Sequence, residues 1–448
     1  MKKTNLPKDY IEYMKNLLKD DFEKYITSLE ENPVKGLQVN LKKIEKDTFL
    51  KQFQENIIPI SYTKNGYIYQ GDSKIGNHPF HHAGIIYSQE PSAMIPVNSI
   101  SIKESDYILD VCAAPGGKSI GASQFINDDG FLFSNEIQLN RCKILLSNIE
   151  RMGIKNSMVG NLDSKTLSKY YPNTFDIVFV DAPCSGEGMF RKDENACKEW
   201  NKELVYHCAE RSIDILNNAS ICVKNDGYLV YSTCTFSKEE NEDVIEKFLK
   251  NENFVLIDVK EEIKNSTKEG SIPFCRRFYP YYAKGEGQFV AVLKKIKKED
   301  TSPTIKTSLL PIPEKMKQEI QTILKENLND FSFPLYLYHD NIITIPKEYI
   351  PVPSSSMLSV GVKVGSYKHN HFTFHHQFFK AYGEFFKNKV YLSLEDKRIS
   401  QYLHGEELED FDNLKGYGVI FLEGVALGGF KASNGRLKNY YPKGLRKQ

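Results

Sequence analysis

The sequence of 448 residues contains no apolar run long enough to cross a bilayer, which excludes a protein with a membrane-spanning helix. Its first residues, MKKTNLPKDYIEYMKNLL, are too polar and too acidic for a signal peptide. Internal repeats and low-complexity tracts are also absent. We therefore expect a cytoplasmic protein that does not contact a membrane.

The eight cysteines include no CxxC pair, so we expect neither a disulfide scaffold nor a structural zinc site, and no metal ion. Most free cysteines in proteins are buried and inert. We expect this fate for five of them: Cys142, Cys197, Cys208, Cys222 and Cys275.

The net charge is only +1, so the chain as a whole is not a polycation. Its last eighteen residues, KASNGRLKNYYPKGLRKQ, nevertheless combine basic residues with Tyr440 and Tyr441 and contain no acid. Basic residues interleaved with aromatic ones suit a nucleic-acid surface, and charge alone leaves a solvated basic tail equally open. The basic residues are Lys431, Arg436, Lys438, Lys443, Arg446 and Lys447.

Strands and helices alternate from residue 107 onwards, after a helical start (6–30) and a strand-like segment (36–44). Such alternation predicts an α/β fold, with a mostly parallel sheet, helices on both faces and ligands at the carboxyl ends of the strands. The predicted strands are 107–111, 130–136, 175–183, 227–236, 254–259 and 288–295, and the clearest helices are 138–151 and 197–222.

The first informative motif is ILDVCAAPGGKS (108–119), in which a buried strand leads through a glycine turn into a helix near Lys118. Glycines let backbone N–H groups approach a ligand closely, and a helix start favours negative charge. The motif lacks the Walker pattern GxxxxGK[ST] and the dinucleotide pattern GxGxxG. Such a turn can instead hold the amino-acid end of S-adenosylmethionine, with Glu136 accepting hydrogen bonds from a ribose and Asp163 bounding the adenine.

Two further motifs lie at the ends of the predicted strands 175–183 and 227–236. VDAPCSGEGMFRK (180–192) places Asp181 and Cys184 at the mouth of the sheet, and YSTCTFSKEENE (231–242) places Cys234 there. We expect these strands to be neighbours, and two thiols at the ligand end of adjacent strands are hard to explain as core packing. Spacing does not reveal which of the two thiols attacks.

These three motifs resemble those of the NOL1/NOP2/Sun family of S-adenosylmethionine-dependent RNA cytosine-5 methyltransferases. They occur in order, at the family's spacing, within a core of about 1–295, and the segments 81–94 and 284–293 also resemble family segments. The last residues, LGGFKASNGRLKNYYPKGLR, resemble the PUA-like end of bacterial RsmF-type enzymes, which methylate 16S ribosomal RNA. The resemblance therefore covers nearly the whole chain.

The resemblance implies a Rossmann-like class I methyltransferase sheet with an N-terminal α+β extension and C-terminal PUA-like domains. The divisions that we expect are an N-terminal RNA-binding extension (1–100), a catalytic domain (101–296), a linker (297–313), an intermediate C-terminal domain (314–365) and a PUA-like RNA-binding domain (366–448). The substrate that it implies is 16S ribosomal RNA or the 30S subunit. Transfer RNA and a catalytically silent role in RNA binding or ribosome assembly are the alternatives, and we expect a monomer.

The family also implies roles for individual residues. Cys234 would be the nucleophile that adds to C6 of cytosine, and Cys184 would help to release the product. Asp181 would face the base, while Lys118 would lower a thiol pKa or steady a phosphate. The residues expected to bind the cofactor S-adenosylmethionine are Cys112, Ala113, Ala114, Pro115, Gly116, Gly117, Lys118, Glu136, Arg141, Asp163 and Asp181.

Other charged residues have two readings each. Arg141 and Arg151 would orient the acid that precedes them or simply pair on a helix surface, and Arg191 and Lys192 would contact RNA backbone or be plain surface charge. The sequence departs from the family at Gln38, where arginine is usual, and at the tyrosines Tyr281 and Tyr282, where a histidine often occurs. We expect these departures to affect RNA contacts rather than the reaction.

Overall fold

The computed structural model describes residues 6–250, 252–298, 301–303, 305–353, 355–368 and 371–446. Its N-terminal part is an α+β unit whose small antiparallel sheet has the strand order β2-β3-β1-β4. The predicted helical start and the strand near residue 36 are both present. The elements are α1 (Lys8–Leu18), α2 (Phe22–Glu30), β1 (Lys35–Val39), α3 (Lys46–Gln52), β2 (Ile57–Pro59), β3 (Gly66–Tyr69), α4 (Pro79–Ala83), β4 (Ile86–Ser88) and α5 (Ile95–Asn98).

The central part contains the predicted alternation of strands and helices. One predicted helix (197–222) is two helices in the structure, because the Asn201 side chain caps the second one by accepting from Leu204 N at 2.8 Å. The elements are β5 (Tyr107–Asp110), α6 (Gly117–Ser123), β6 (Phe131–Asn135), α7 (Leu139–Met152), β7 (Ser157–Gly160), α8 (Ser164–Tyr170), β8 (Phe175–Asp181), α9 (Glu194–Glu199), α10 (Lys202–Cys222), β9 (Val223–Thr233), α11 (Glu242–Leu249), β10 (Phe254–Ile257), α12 (Glu261–Lys264), β11 (Lys268–Glu269), β12 (Arg276–Phe278) and β13 (Gln288–Lys295).

The C-terminal part forms two further sheets, with the strand orders β14-β15-β16-β18-β19 and β20-β21-β22-β23. Its elements are β14 (Leu310–Pro311), α13 (Glu314–Asn327), β15 (Leu335–Tyr338), β16 (Asn341–Thr344), β17 (Met357–Val360), β18 (Val362–Lys368), β19 (His371–Phe374), α14 (His376–Tyr382), β20 (Asn388–Leu392), α15 (Lys397–His404), β21 (Gly416–Leu422), β22 (Val425–Ser433) and β23 (Arg436–Asn439).

The central sheet has the order β11-β12-β13-β9-β8-β5-β6-β7-β17, and β10 also pairs with β13. Its five middle strands, β9 to β7 in this order, are parallel, and β13 runs antiparallel to β9. Apolar side chains cover both faces, which is the pattern of a sheet between two helix layers. The carboxyl ends of the parallel strands therefore converge on one edge, where the three motifs lie.

Strand β17 was not expected in this sheet, since it comes from the C-terminal part of the chain. It runs antiparallel to β7, with Val360 opposite Met158, and Gly361 N donates to Ser157 O at 2.8 Å. An uncovered β7 would expose a row of unpaired backbone groups, and β17 satisfies them. The division that we expected between residues 365 and 366 falls inside β18, which pairs with both β16 and β19.

Among the helices of the described segments, none is both long and apolar enough to span a membrane.

Candidate active site

The glycine turn between β5 and α6 is held from outside by helix α7. Arg141 Nη2 donates to the carbonyl oxygen of Ala114, and Asn148 Nδ2 donates to that of Pro115, both at 2.8 Å. Gly116 has a φ of +120°, which side chains rarely tolerate, so only glycine allows this path without strain. The turn is therefore a supported concave segment at the carboxyl end of β5.

The interior of this turn is closely packed. A Cβ on Gly117 would come within 2.5 Å of Gln89 Nε2, so a larger residue would displace that side chain. Gln38 is buried here as well: its amide donates to Gly117 O at 3.3 Å and contacts the Gln89 amide. Gln38 thus packs on the turn rather than on an open surface, and the expectation that this departure affects RNA contacts stays a prediction. Of the remaining turn residues, Pro115 is exposed, Cys112 is half-buried and Ala113 and Ala114 are buried.

Glu136 lies directly after β6 and is buried, with 2% of its surface exposed. One carboxylate oxygen accepts from Gln138 N at 2.9 Å, and the other lies 3.4 Å from Arg141 Nη1. Since Arg141 also binds the turn, it connects the acid with the turn. Both groups thus face the same edge of the sheet.

Asp163 caps helix α8. Its two carboxylate oxygens accept from the backbone N–H and the hydroxyl of Thr166, both at 2.8 Å. These hydrogen bonds hold the pKa of Asp163 below its usual value. The residue thus has a local structural role, in addition to any contact with a ligand.

The two thiols meet at the mouth of the sheet. Residues Asp181 and Ser232 are paired across β8 and β9, and the chain continues from them into Cys184 and Cys234. Their sulfur atoms lie 3.3 Å apart, with both residues half-buried. The hydrogen bond with Cys234, together with burial, raises the pKa of Cys184, so this thiol retains its proton at neutral pH.

Lys118 and Asp181 form an ion pair of 2.7 Å beside the thiols. Ser232 Oγ donates to the other oxygen of Asp181 at 2.7 Å, and Gln288 Nε2 does so at 3.3 Å. Burial lowers the pKa of Lys118, but the charges of Asp181, Asp110 and Cys234 and the hydrogen bond with Asp181 outweigh it and raise the pKa overall. A fixed ammonium thus lies near both the carboxylate and the sulfur.

Asp110, which the sequence did not single out, is fully buried at the end of β5. It accepts from Ser119 Oγ at 2.7 Å, while its second oxygen has no partner among the described residues. Burial raises the pKa of Asp110 to about 7, against the opposing effect of the Ser119 hydrogen bond.

Two buried glutamates join the thiol-bearing loops, and sequence reasoning missed both. Glu240, on the Cys234 side, accepts from the backbone N–H of Ser185 at 2.8 Å. Glu187, on the Cys184 side, accepts from Phe236 N at 2.7 Å and from Trp200 Nε1 at 2.9 Å. Both acids lie inside the quoted motifs, SGEGMF and SKEENE, and their position next to the cysteines was the available signal.

Some residues considered for RNA binding are buried in structural contacts. The Arg191 side chain is 3% exposed, pairs with Glu286 at 2.7 Å and donates to Ser28 O at 2.8 Å, so the RNA-contact reading of Arg191 is wrong. Lys192 is exposed. Arg151, which was expected to orient the preceding acid or to pair on a helix surface, is instead buried and donates to His81 O at 2.8 Å.

Tyr281 and Tyr282, where the sequence departs from the family, and the basic tail are partly exposed. Lys268 lies over the rings of Tyr281 and Tyr282, at 5.1 and 5.4 Å from their centroids.

In the tail, Tyr441 is buried and its hydroxyl is 2.8 Å from His82 Nδ1, so it is not part of a basic surface. Arg436, Lys438 and Lys443 are exposed, Lys431, Arg446 and Tyr440 are half-buried, and Lys447 lies outside the described residues. The five cysteines expected to be inert are all buried.

Solved structures from Pyrococcus horikoshii share the fold of about two thirds of the chain. A methyltransferase homolog protein superposes with a TM-score of 0.56 at 24% identity, over 66% of this chain and 100% of the other. NSun6, solved with SFG, gives a TM-score of 0.59 at 22% identity, over 65% of this chain and 99% of the other. These likenesses confirm the predicted class of sheet.

Sequence relatives match the chain from end to end. Ribosomal RNA small subunit methyltransferase F of Vibrio atlanticus is 30% identical over 470 residues, which cover 98% of this chain and 97% of the relative. The protein of the same name from Psychromonas ingrahamii is 29% identical over 472 residues, covering 99% and 98%.

Family models match three successive segments of the chain. Residues 6–91 match the N-terminal domain of 16S rRNA methyltransferase RsmF, residues 97–294 match 16S rRNA methyltransferase RsmB/F, and residues 388–447 match the methyltransferase RsmF PUA domain. With a relative at 30% identity matched over nearly its full length, the protein is a methyltransferase that belongs to the RsmF-type family of 16S rRNA methyltransferases.

Proposed function

We propose that this protein transfers a methyl group from S-adenosylmethionine to C5 of a cytosine in 16S ribosomal RNA, through a covalent bond between Cys234 and C6. The observation that carries the proposal is the pair of thiols 3.3 Å apart beside the ion pair of Lys118 and Asp181. Cytosine C5 is a poor nucleophile, and a thiolate that adds to C6 activates it. The names of the relatives support ribosomal RNA as the substrate.

The residues around the turn fit S-adenosylmethionine chemically. The supported glycine turn offers backbone N–H groups to the carboxylate of the amino-acid end, and the buried Glu136 offers carboxylate oxygens to the two ribose hydroxyls. Arg141 holds both elements in place. Asp163, at the start of α8, would border the adenine. When bound, S-adenosylmethionine supplies the methyl group to C5 from its sulfonium and leaves as the thioether.

Cys234 forms the S–C6 bond as a thiolate, and the C5=C6 electrons then become available at C5. After transfer, a base removes the C5 proton, the electron pair re-forms the C5=C6 bond, and Cys234 leaves as a thiolate. Cys184 holds a proton 3.3 Å from that sulfur and assists its departure. Asp181 faces the base edge, where it would accept from the cytosine amino group or bind N3 if N3 is protonated.

The target base must leave its stack to reach the two sulfurs, because they lie at the mouth of the sheet rather than on an open surface. Lys118 provides fixed positive charge next to the attacking sulfur. A looped or assembling RNA is therefore the expected substrate.

The test is methyl transfer from labelled S-adenosylmethionine to deproteinised 16S RNA, assembled 30S subunits or transfer RNA. Wild type is compared with Cys234→Ala and Cys184→Ala, and with Cys222→Ala as the matched control, since Cys222 is buried just before β9, at the opposite end of that strand from Cys234. Denaturing gels report a covalent protein–RNA adduct in the same reactions.

We expect wild type and Cys222→Ala to methylate ribosomal RNA, Cys234→Ala to be inactive, and Cys184→Ala to accumulate the adduct. Methyl transfer only to transfer RNA would show that transfer RNA, rather than ribosomal RNA, is the substrate. An adduct trapped in Cys234→Ala would exchange the roles of the thiols, and no transfer to any of the three RNAs would favour a silent RNA-binding protein.

A further inference from the structure

A cavity of about 360 Å³ lies where the three parts of the chain meet, outside the site described above. The N-terminal part contributes Lys42 and Lys43, the central part contributes Lys155 and the C-terminal helix α14 contributes Lys380. Gln124 and Asn156 complete its polar lining near the end of α6 and the start of β7. The cavity is thus rich in groups that carry positive charge or donate hydrogen bonds.

The deep cations of this junction have no carboxylate partner. Among the described residues, Lys43, Lys380 and Arg151 form no ion pair. The two lysines donate to backbone carbonyl oxygens, and Arg151 donates to backbone carbonyl oxygens and to Asn148 Oδ1 at 3.1 Å. Lys380 Nζ donates to His82 O at 2.8 Å, and Lys43 Nζ donates to Ala83 O at 3.2 Å. Lys380 and Arg151 are buried and Lys43 is half-buried, so positive charges on all three repel each other and carry a desolvation cost.

This repulsion, together with burial, lowers the pKa values of the two lysines. Burial, followed by the charge of Arg151, lowers the pKa of Lys43 to about 7. Burial and the charges of Lys43 and Arg151 also lower the pKa of Lys380. An anion placed among these groups would compensate the charge that the protein itself leaves unpaired.

Carboxylates at the cavity provide only part of this compensation, since the charge of Glu384 raises the pKa of Lys43 but is outweighed by burial. Glu384 is exposed and pairs with Lys155 at 3.2 Å, at the outer side of the cavity. Asp128 is also exposed, and its charge acts on Lys42. Lys380 donates one hydrogen bond and Lys43 two, the second to Arg151 O at 3.5 Å, so both ammonium groups retain donors that a ligand can use.

We propose that this junction cavity binds a phosphate group through Lys43 and Lys380, with Lys42 and Lys155 at its rim, and that this phosphate belongs to the backbone of the substrate RNA. The assignment of this phosphate to RNA (the RNA part) rests on the proposed function, whereas the binding of a phosphate group in the cavity does not. Helix α6 lies between the cavity and the glycine turn. Its first residue, Gly117, belongs to the turn, and its last residue, Ser123, lines the cavity. The cavity is thus a second contact, remote from the thiols.

The first measurement is thermal unfolding of the full-length protein in rising inorganic phosphate, with chloride at equal ionic strength as the reference. A ligand that binds only the folded state raises the Tm, and we expect a saturable rise of ~2 °C or more for wild type. The double variant Lys43→Met/Lys380→Met should fold, because an apolar side chain of similar length replaces each unpaired buried charge, and should lose this rise. Lys43→Gln/Lys380→Gln retains donors for the carbonyls and serves as a second variant.

The matched control is Lys317→Met/Lys397→Met, which removes the same charge from two exposed lysines and should retain the rise. The second measurement is the salt dependence of affinity for a 16S RNA fragment. We expect the slope of log K against log[salt] to fall by ~1 for each RNA phosphate that the junction variants no longer bind, with the control unchanged. Methyl transfer by wild type is measured separately.

A phosphate-dependent rise that disappears in the junction variants, together with the reduced slope, supports the proposal. A rise that disappears without any change in RNA binding leaves a site for free phosphate and overturns the RNA part. No rise in wild type, or one retained in both junction variants, overturns the site even if the enzyme methylates RNA. Absence of methyl transfer would instead count against the proposed function.

Discussion

The carboxylate of Glu240 binds the backbone N–H of Ser185 at 2.8 Å and also accepts from the Ser185 hydroxyl. Ser185 directly follows one thiol, and Glu240 lies six residues after the other. Gly188 N reinforces the connection by donating to Cys234 O at 2.8 Å. The spacing of the two sulfurs is therefore set by contacts between their loops, not by the strands alone.

Replacing Glu240 by glutamine should disturb this spacing. The amide keeps one acceptor oxygen, so at least one buried donor of Ser185 or Ser237 loses its partner, at a cost of ~1–3 kcal/mol in the free energy of unfolding. We expect kcat to fall by about 10- to 100-fold, because small misplacements of reacting groups are costly. Steady-state kinetics and urea unfolding check this.

Glu239→Gln is the matched control, since the Glu239 side chain is half-buried and, among the described residues, accepts only from the Tyr13 hydroxyl, at 3.2 Å. Equal losses of kcat in Glu239→Gln and Glu240→Gln would argue against the role of Glu240 in positioning the thiols.

Arg141→Met should weaken cofactor binding more than catalysis. The variant loses the hydrogen bond to Ala114 O and the ion pair with Glu136, so both elements that we propose bind S-adenosylmethionine lose their support. We expect the KM for S-adenosylmethionine to rise by about tenfold, which corresponds to ~1.4 kcal/mol, with kcat affected less. Lys143→Met, at an exposed position on the same helix, should leave both constants unchanged. A fall in kcat without a rise in KM would contradict this.

The stability of the protein should fall as pH rises from about 4 to 7 because of Asp110. Its pKa is 3.8 in the unfolded reference and about 7 in the folded protein, because of burial. Below pH 4 both states hold the proton, and between these values the unfolded chain alone releases it, which favours unfolding by up to ~4 kcal/mol. Above pH 7 the penalty is constant.

Asp110→Asn removes this titration and should still accept from Ser119. The difference in the free energy of unfolding between variant and wild type should therefore grow in favour of the variant from pH 5 to pH 8. Urea unfolding at both pH values measures it, and a difference that does not depend on pH would refute the shifted pKa.

Arg191→Met should act on stability and not on RNA binding. Removing the guanidinium leaves Glu286 buried and unpaired, which costs ~3–5 kcal/mol, and also breaks the contact with Ser28 O. The exposed Lys192→Met should change stability by no more than ~0.5 kcal/mol. Below the unfolding transition, the salt dependence of RNA affinity should be the same for Arg191→Met and wild type. A slope reduced by ~1 would restore Arg191 as a residue that binds an RNA phosphate.

The strands and helices of the central part could be predicted because each carries a local signal. The runs 107–111, 130–136 and 175–183 are apolar and are followed by turn residues, and the structure has a strand within each of them. Strand β17 could not be predicted in this sheet, because its four residues carry no information about their partner β7, which lies about 200 residues earlier.

The meeting of the thiols could also be predicted, because parallel strands that are neighbours bring their carboxyl ends together. The burial of individual charged side chains could not be predicted from the sequence. Glu239, Glu240 and Glu242 look alike in the sequence, yet Glu240 joins the thiol loops and Glu242 pairs with the buried Arg277. For the same reason, the sequence did not reveal that Gln38 and the side chain of Arg191 are buried.

The sequence by itself determined the motifs, their order, the parallel sheet that carries them and, through resemblance, the family, since all of these depend on residue types at short spacing. Only the tertiary structure decided which side chains are buried and with what partner. Glu240 and Ser185 are 55 residues apart, Arg191 and Ser28 are 163 apart, and Lys380 and His82 are 298 apart. Desolvation and pairing depend on these distant contacts, which local residue patterns do not record.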